Sequence, residues 1–193
     1  MKGMRPLTDD EIAQVAEAFD GTYALRDRAL FILGIKTGLR ISEILSLTIG
    51  DVLTDERFHD RVYIERRHIK GKREGRSIPL NPIAKGALLP WIKSLRAGGS
   101  TQGTFIFKSR NGGNRAISRV QAWKILDSVF RRVGALGRLG THTMRKSFAQ
   151  RAFRKLDNDL LRTQKALGHR SISSTISYLS FETQEIDEVI LSL

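Results

Sequence analysis

The sequence predicts an α+β fold that is mainly helical, with a small three-stranded antiparallel sheet. Three observations lead there. Capping signals precede apolar stretches of helical length at Thr8, Asn81 and Ser118. β-Branched residues gather around the turn GKREG, between about residues 61 and 80. A chain of 193 residues with 40% hydrophobic side chains can bury one sizeable core, and is short for two.

Taken in order, Thr8 and Glu11 form a capping box that opens the first helix, with Leu7 stapled onto Ile12. Asp9, Asp10 and Glu11 mimic an acidic catalytic cluster, but acids in a first helical turn suit the helix dipole. A second helix runs through ALRDRALFILGIKTG and stops near Gly38; a third starts around RISEILSL with Ser42 as its cap. Residues 61–72 and 76–80 read as a hairpin. Asn81-Pro82 then caps a helix towards Ala97, since Pro suits the first helical turn. GGSTQG is a loop, FIF the third short strand, and SRNGGNR a turn. Ser118 and Gln121 form a second capping box on a helix to about Val133. Helices follow at about 142–156 and 159–167, then a short one through Tyr178.

Charge narrows the partner. Lys and Arg total 33 against 20 acidic residues, a net charge of +13. Neutralising phosphates releases counterions, so a polyanion such as nucleic acid is the natural partner. An anionic membrane usually needs a basic amphipathic helix or a lipid anchor, and neither is evident. No apolar run approaches the roughly 20 residues of a membrane span. The N-terminus turns acidic where a signal peptide would be apolar, so a cytoplasmic location is expected. With no cysteine there is no disulfide, thiolate nucleophile or cysteine-bound zinc.

Several residues could carry chemistry. In THTMRKSFAQRAF, His142 and Arg145 lie three apart at a helix start and share a face. Unpaired amides make that end an anion site, which an imidazole and a guanidinium would strengthen. Each also has a plain reading, as a cap and as a solvated side chain. In TGLRISEILSL, Arg40 either pairs with Glu43 or projects into a cleft as a second phosphate clamp. Lys70 and Lys72 lie in or beside the hairpin turn, where exposed lysines also serve solubility. Tyr178 is a packing residue or a nucleophile. A phenol is only about 0.1% ionised at neutral pH, so the second role needs positive charge nearby.

Together these segments resemble the tyrosine recombinase (phage integrase) family. The matching features are TGLRISE with Arg40, a hairpin lysine before RSIPL, HTMR with His142 and Arg145, LGH with His169, and Tyr178 nine residues later. FIFKSRNGGNRAIS also fits the family's strand and turn ahead of the HxxR helix. A lone HxxR is weak evidence; five motifs in the right order are strong.

The resemblance implies a tyrosine recombinase catalytic-domain fold and site-specific DNA recombination. A tyrosine, here Tyr178, attacks a backbone phosphate to give a 3′-phosphotyrosine link and a free 5′-hydroxyl. Arg40 and Arg145 would grip the non-bridging oxygens, as planar, permanently charged forks suit. Lys70, with Lys72 as the alternative, would protonate the leaving 5′-oxygen. His142 would assist proton transfer with the tyrosine, and His169 would hydrogen-bond the phosphate. Neither metal nor ATP is expected as a cofactor. The implied partners are double-stranded DNA with a specific site and further copies of the chain, assembled as a tetramer.

Departures from the family pattern are visible. Met144 stands where leucine is frequent, a volume-conserving exchange. Lys70 and Lys72 lie nine and seven residues before Pro79, and the usual lysine interval falls between them, at Gly71. Lys70 is preferred because it ends the first hairpin strand. The expected organisation is a catalytic domain over 1–180 and a helical tail over 181–193. The family's usual N-terminal DNA-clamping domain is read as missing, so the chain is an excised catalytic domain or a compact recombinase. In the tail, Ile186, Val189, Ile190 and Leu193 form an apolar stripe. It suits packing on its own domain, or exchange onto a neighbouring subunit as family members do. A type IB topoisomerase and a catalytically idle DNA-binding regulator on the same fold are the alternatives.

Overall fold

The computed structural model describes residues 3–65, 75–179 and 190–192. They divide into two compact units, Met1–Phe148 and Ala149–Leu193. Lys70 and Lys72 of the expected hairpin turn lie outside the described residues, as do residue 180 and, of the expected tail, 181–189 and 193.

The first unit begins with α1 (Asp9–Glu17). Both halves of its capping box form: Thr8 Oγ1 accepts from the Glu11 amide at 3.1 Å, and the Thr8 amide donates to Glu11 at 2.9 Å. Glu11 also takes two hydrogen bonds from Arg5, so this acid is occupied structurally. α2 (Ala24–Thr37) is apolar on nearly every side, and Ala29 through Ile35 are all buried. A helix of that kind belongs at the centre of a core. α5 (Pro82–Ala97) packs against it with Ala84, Ala87, Leu88, Trp91, Ile92 and Leu95. Those positions recur at the three- and four-residue steps of one helical face. Each large buried side chain contributes roughly 1.5–3 kcal/mol, against about 1 kcal/mol for a cap. Packing of α2 on α5 therefore dominates, and caps such as Asn81 set boundaries.

Between them lie α3 (Ile41–Leu45), α4 (Ile49–Val52) and four short strands. β1 (Leu53–Thr54) pairs with β2 (Arg57–Phe58), and β3 (Arg61–Ile64) with β4 (Arg76–Pro79), both antiparallel. In β3 and β4, Val62, Ile64 and Ile78 point to the core while Arg61 and Tyr63 stay exposed, the two-residue period of a half-buried sheet.

Two expectations need correction. Ser42 is not the cap of α3; it lies inside the helix. The cap position is Arg40, whose backbone amide is taken by the Glu43 carboxylate at 2.8 Å. The single three-stranded sheet is also replaced, among the described residues, by two two-stranded sheets. FIF does not join the hairpin. The Ile106 amide donates to Leu47 and the Phe107 carbonyl accepts from Ile117, so its backbone is satisfied by isolated bridges elsewhere. The β1–β2 hairpin escaped the sequence reading because Asp55 and Glu56 occupy its positive-φ turn, where Asn-Gly would be the usual signal.

α6 (Arg119–Arg132) is capped by Ser118 as expected, and α7 (Thr141–Lys155) follows. The first eight residues of α7 belong to the first unit and the rest to the second. In the second unit, α8 (Leu160–Leu167) runs from the Asp159 cap to Gly168, whose φ of 63° is the left-handed conformation that glycine adopts freely. α9 (Ile172–Ile176) is a single short turn capped by Ser171. No described helix is long and apolar enough to cross a membrane.

Candidate active site

The first part of the site is built where α2 ends. Gly38 closes that helix at φ 61°, and a Cβ there would lie 2.3 Å from the Phe148 ring. Gly34, one turn earlier, leaves room for Met144, whose sulfur would lie 2.6 Å from an added Cβ. Two glycines thus admit α7 against the end of α2. The close approach brings Arg145 to the Gly38 carbonyl, to which its Nη1 donates. TGLR and HTMR, more than one hundred residues apart, become one structure.

Arg145 is 1% exposed. A guanidinium does not deprotonate in a protein, so its charge is buried intact and requires acceptors. Arg40 keeps 30% of its side chain exposed, and its Nη1 donates to Glu43 Oε1 at 3.0 Å. Arg76 of β4 reaches the other carboxylate oxygen at 2.8 Å. Burial would push the Glu43 carboxyl up, yet Arg76, the Arg40 amide and the Arg40 charge together hold it below the ordinary value. It stays ionised. Of the two readings of Arg40, pairing with Glu43 is therefore realised, and its partial exposure leaves donors for a second acceptor.

His142 precedes Arg145 by one helical step and keeps an exposed surface. Loss of water around the ring, and then the charges of Arg145, Arg40 and Lys146, push its pKa below 6.5. The imidazole is thus neutral at pH 7, able to take a proton at one nitrogen and give one at the other. Burial also lowers Lys146. The start of α7 is braced from the N-terminal segment: Ser147 Oγ donates to the Thr143 carbonyl at 2.9 Å and accepts from the Leu7 amide at 2.8 Å.

The second unit holds the other two predicted residues. His169 follows the glycine that ends α8, and its amide and carbonyl both bond to Gln164. Its Nδ1 lies 3.1 Å from Oγ1 of the fully buried Thr175. When that hydroxyl donates, Nε2 carries the ring proton and becomes a donor. Tyr178 stands two residues beyond α9, its amide bonded to the Thr175 carbonyl at 2.9 Å. The His169 and Tyr178 rings meet edge to face, centroids 5.0 Å apart. The nine-residue interval is therefore a contact.

Among the described residues, Arg40, His142 and Arg145 come together in the first unit, and His169 and Tyr178 in the second. Sequence reasoning missed Arg76. Its only trace was its place just ahead of SIPL on the second hairpin strand, since pairing with Glu43 spans 33 residues. No group of three or more His, Asp or Glu side chains able to hold a metal ion occurs among the described residues. Buried and half-buried cations around a neutral imidazole are suited to holding an oxyanion and moving a proton beside it.

The Phage integrase family matches residues 5–185. The probable integrase/recombinase YoeC of Bacillus subtilis is 32% identical over 157 residues, spanning 81% of this chain and 78% of that protein. Tyrosine recombinase XerC of Herpetosiphon aurantiacus is 31% identical, across 88% of this chain and 52% of its own length. In fold, the chain is similar to the crystal structure of the XerH site-specific recombinase bound to palindromic difH substrate, a post-cleavage complex. The TM-score is 0.76 at 24% identity, over 96% of this chain and 51% of that one. The chain thus spans about half the length of the latter two. A family match over nearly the whole sequence, on a catalytic-domain fold, places this chain in the phage integrase family of tyrosine-type site-specific recombinases.

Proposed function

We propose that the chain breaks and rejoins double-stranded DNA at a specific site through a covalent 3′-phosphotyrosine intermediate. Tyr178 is the nucleophile. Its oxygen bonds to phosphorus as the bond to the 5′-oxygen breaks, and that oxygen leaves with a proton from Lys70, or from Lys72. Arg40 and Arg145 hold the non-bridging oxygens and stabilise the charge that builds on them. Neutral His142 moves the tyrosine proton, and His169 donates to the phosphate from Nε2. The cations supply the electrophilic field, so no metal is required. The phosphotyrosine link conserves the phosphodiester bond energy, so neither is ATP.

One observation carries this reading: Arg145 donates to the Gly38 carbonyl, two residues from Arg40. It turns an order of motifs into a pair of guanidiniums beside a neutral imidazole. The Tn1549 transposon integrase, a protein of the same fold, is held in complex with transposon right end DNA, which supports DNA as the partner, as does the net charge of +13. Recombination joins two duplexes, for which a tetramer on paired sites in the cytoplasm, at the nucleoid, is the natural assembly.

The test uses a random-sequence library of nicked duplexes, from which the wild-type chain captures its substrate as a denaturant-resistant adduct. The adduct should form with the wild type and vanish in Tyr178→Phe. An adduct persisting in that variant would overturn the nucleophile assignment. Supercoil relaxation without exchange between captured sites would point to a topoisomerase instead.

A further inference from the structure

Arg76 opens β4, opposite Ile64 in the hairpin register, and lies four residues beyond Lys72 in sequence. It meets a carboxylate that is already engaged. Glu43 Oε2 accepts from Arg76 Nη2 and from the Arg40 amide, each at 2.8 Å, while Oε1 accepts from Arg40 Nη1 at 3.0 Å. The Glu43 side chain is fully buried, that of Arg76 12% exposed, and that of Arg40 30%. The charge and its gradient both matter. Arg40 with Glu43 alone would be a neutral pair, a poor clamp for an anion. Adding Arg76 makes the cluster net positive, and its most exposed member is Arg40.

We propose that Arg76 is a positioning residue for strand cleavage. It holds the Glu43 carboxylate from β4, which fixes the Arg40 guanidinium and keeps the cluster net positive towards the phosphate. The same contact ties β4 to the arginine of the TGLR turn, so the hairpin and that turn share one buried anchor. Other basic residues bind DNA through bulk charge; this one acts through Glu43 on Arg40. The inference rests on the strand-transfer reading above.

The experiment measures single-turnover cleavage of the captured nicked duplex, with DNA affinity and thermal unfolding of each variant. Arg76→Met should slow cleavage by roughly 10- to 100-fold, the scale of a lost charge-assisted hydrogen bond. DNA affinity should stay within about threefold, and Arg76→Lys should recover part of the rate. In an Arg40→Lys background the further loss from Arg76→Met should shrink to about threefold or less, because the two residues act as one unit. Wild-type cleavage in Arg76→Met would overturn the proposal. So would a loss that multiplies in full in both backgrounds, the mark of independent structural damage. If Arg76→Met does not fold, the cycle of Arg76→Lys with Arg40→Lys conserves charge throughout, and full independence there overturns the proposal equally. A wild-type chain that captured no duplex would sink the strand-transfer reading, a separate and earlier failure.

Discussion

Arg145 in the first unit is 1% exposed and bound to the Gly38 carbonyl, whereas Tyr178 in the second lies half-buried, two residues beyond a helix of five. The arginine belongs to a core. Gly34 and Gly38 admit Met144 and Phe148, and Ser147 holds the N-terminal segment, so every turn of α7 around Arg145 is fastened to another element. The contacts described for the tyrosine are local ones: its amide to Thr175, its ring against His169, and His169 to Thr175 and Gln164. A helix that short has little stability of its own. On the proposed function, the difference is a division of labour. Groups that stabilise a transition state gain from being fixed beforehand, whereas a nucleophile must be presented and withdrawn.

The sharpest way to break this comparison is to remove function from each region and ask whether stability follows. Tyr178→Phe should abolish adduct formation while leaving the thermal midpoint within about 2 °C of wild type. A large drop would mean the tyrosine is part of a packed core after all. Arg145→Ala should lose cleavage by roughly two or more powers of ten. It should also lower unfolding free energy in urea by about 2–4 kcal/mol, since a buried side chain and a partner of the Gly38 carbonyl both go. Unchanged stability would separate the arginine from the core.

Gly38→Ala tests the geometry without touching a charged group. A left-handed φ and the Phe148 contact together should cost roughly 1–3 kcal/mol, read by the same melts, and slow cleavage by displacing Arg145. In the second unit, Thr175→Val removes the hydroxyl from His169 and should cost only about 1 kcal/mol. Its main effect should be slower cleavage through a less well oriented imidazole.

The smallest effect is one of pH. The folded pKa of His142 lies below the unfolded value of about 6.5, so the unfolded chain binds more protons in that window. Stability should fall as pH drops through 6.5 towards the folded value. Urea melts at pH 5 and pH 7.5 should show that fall, with His142→Gln flattening it. An unaltered pH dependence in the variant would show that the ring is not held neutral.

Much of the local structure was legible. Thr8, Asn81, Ser118 and Gly38 mark real boundaries, because capping is settled by neighbours within a few residues. That Arg40 lies near His142 and Arg145, and His169 against Tyr178, was legible through motif order. Less was legible where the chain pairs with distant segments. FIF has strand composition, but Leu47 and Ile117 decide what it bonds to. Ser42 has the chemistry of a cap, yet Glu43 reaching back to the Arg40 amide places the boundary two residues earlier. Arg76 looked like one more basic residue in a hairpin, since burial beside Glu43 leaves no local signature.

By itself, then, the sequence determined most of the helices, several of their caps, the pairing of the hairpin, the cationic balance and which side chains are chemically competent. These follow from short-range sterics, backbone hydrogen bonding and composition, all local along the chain. Tertiary structure alone decided that Arg145 lies on the Gly38 carbonyl, that Arg76 and Arg40 share one buried carboxylate, and that burial and nearby cations push the His142 pKa down. Each depends on burial and on charges brought together across the chain, and the strength of an electrostatic interaction is set by how much water packing removes.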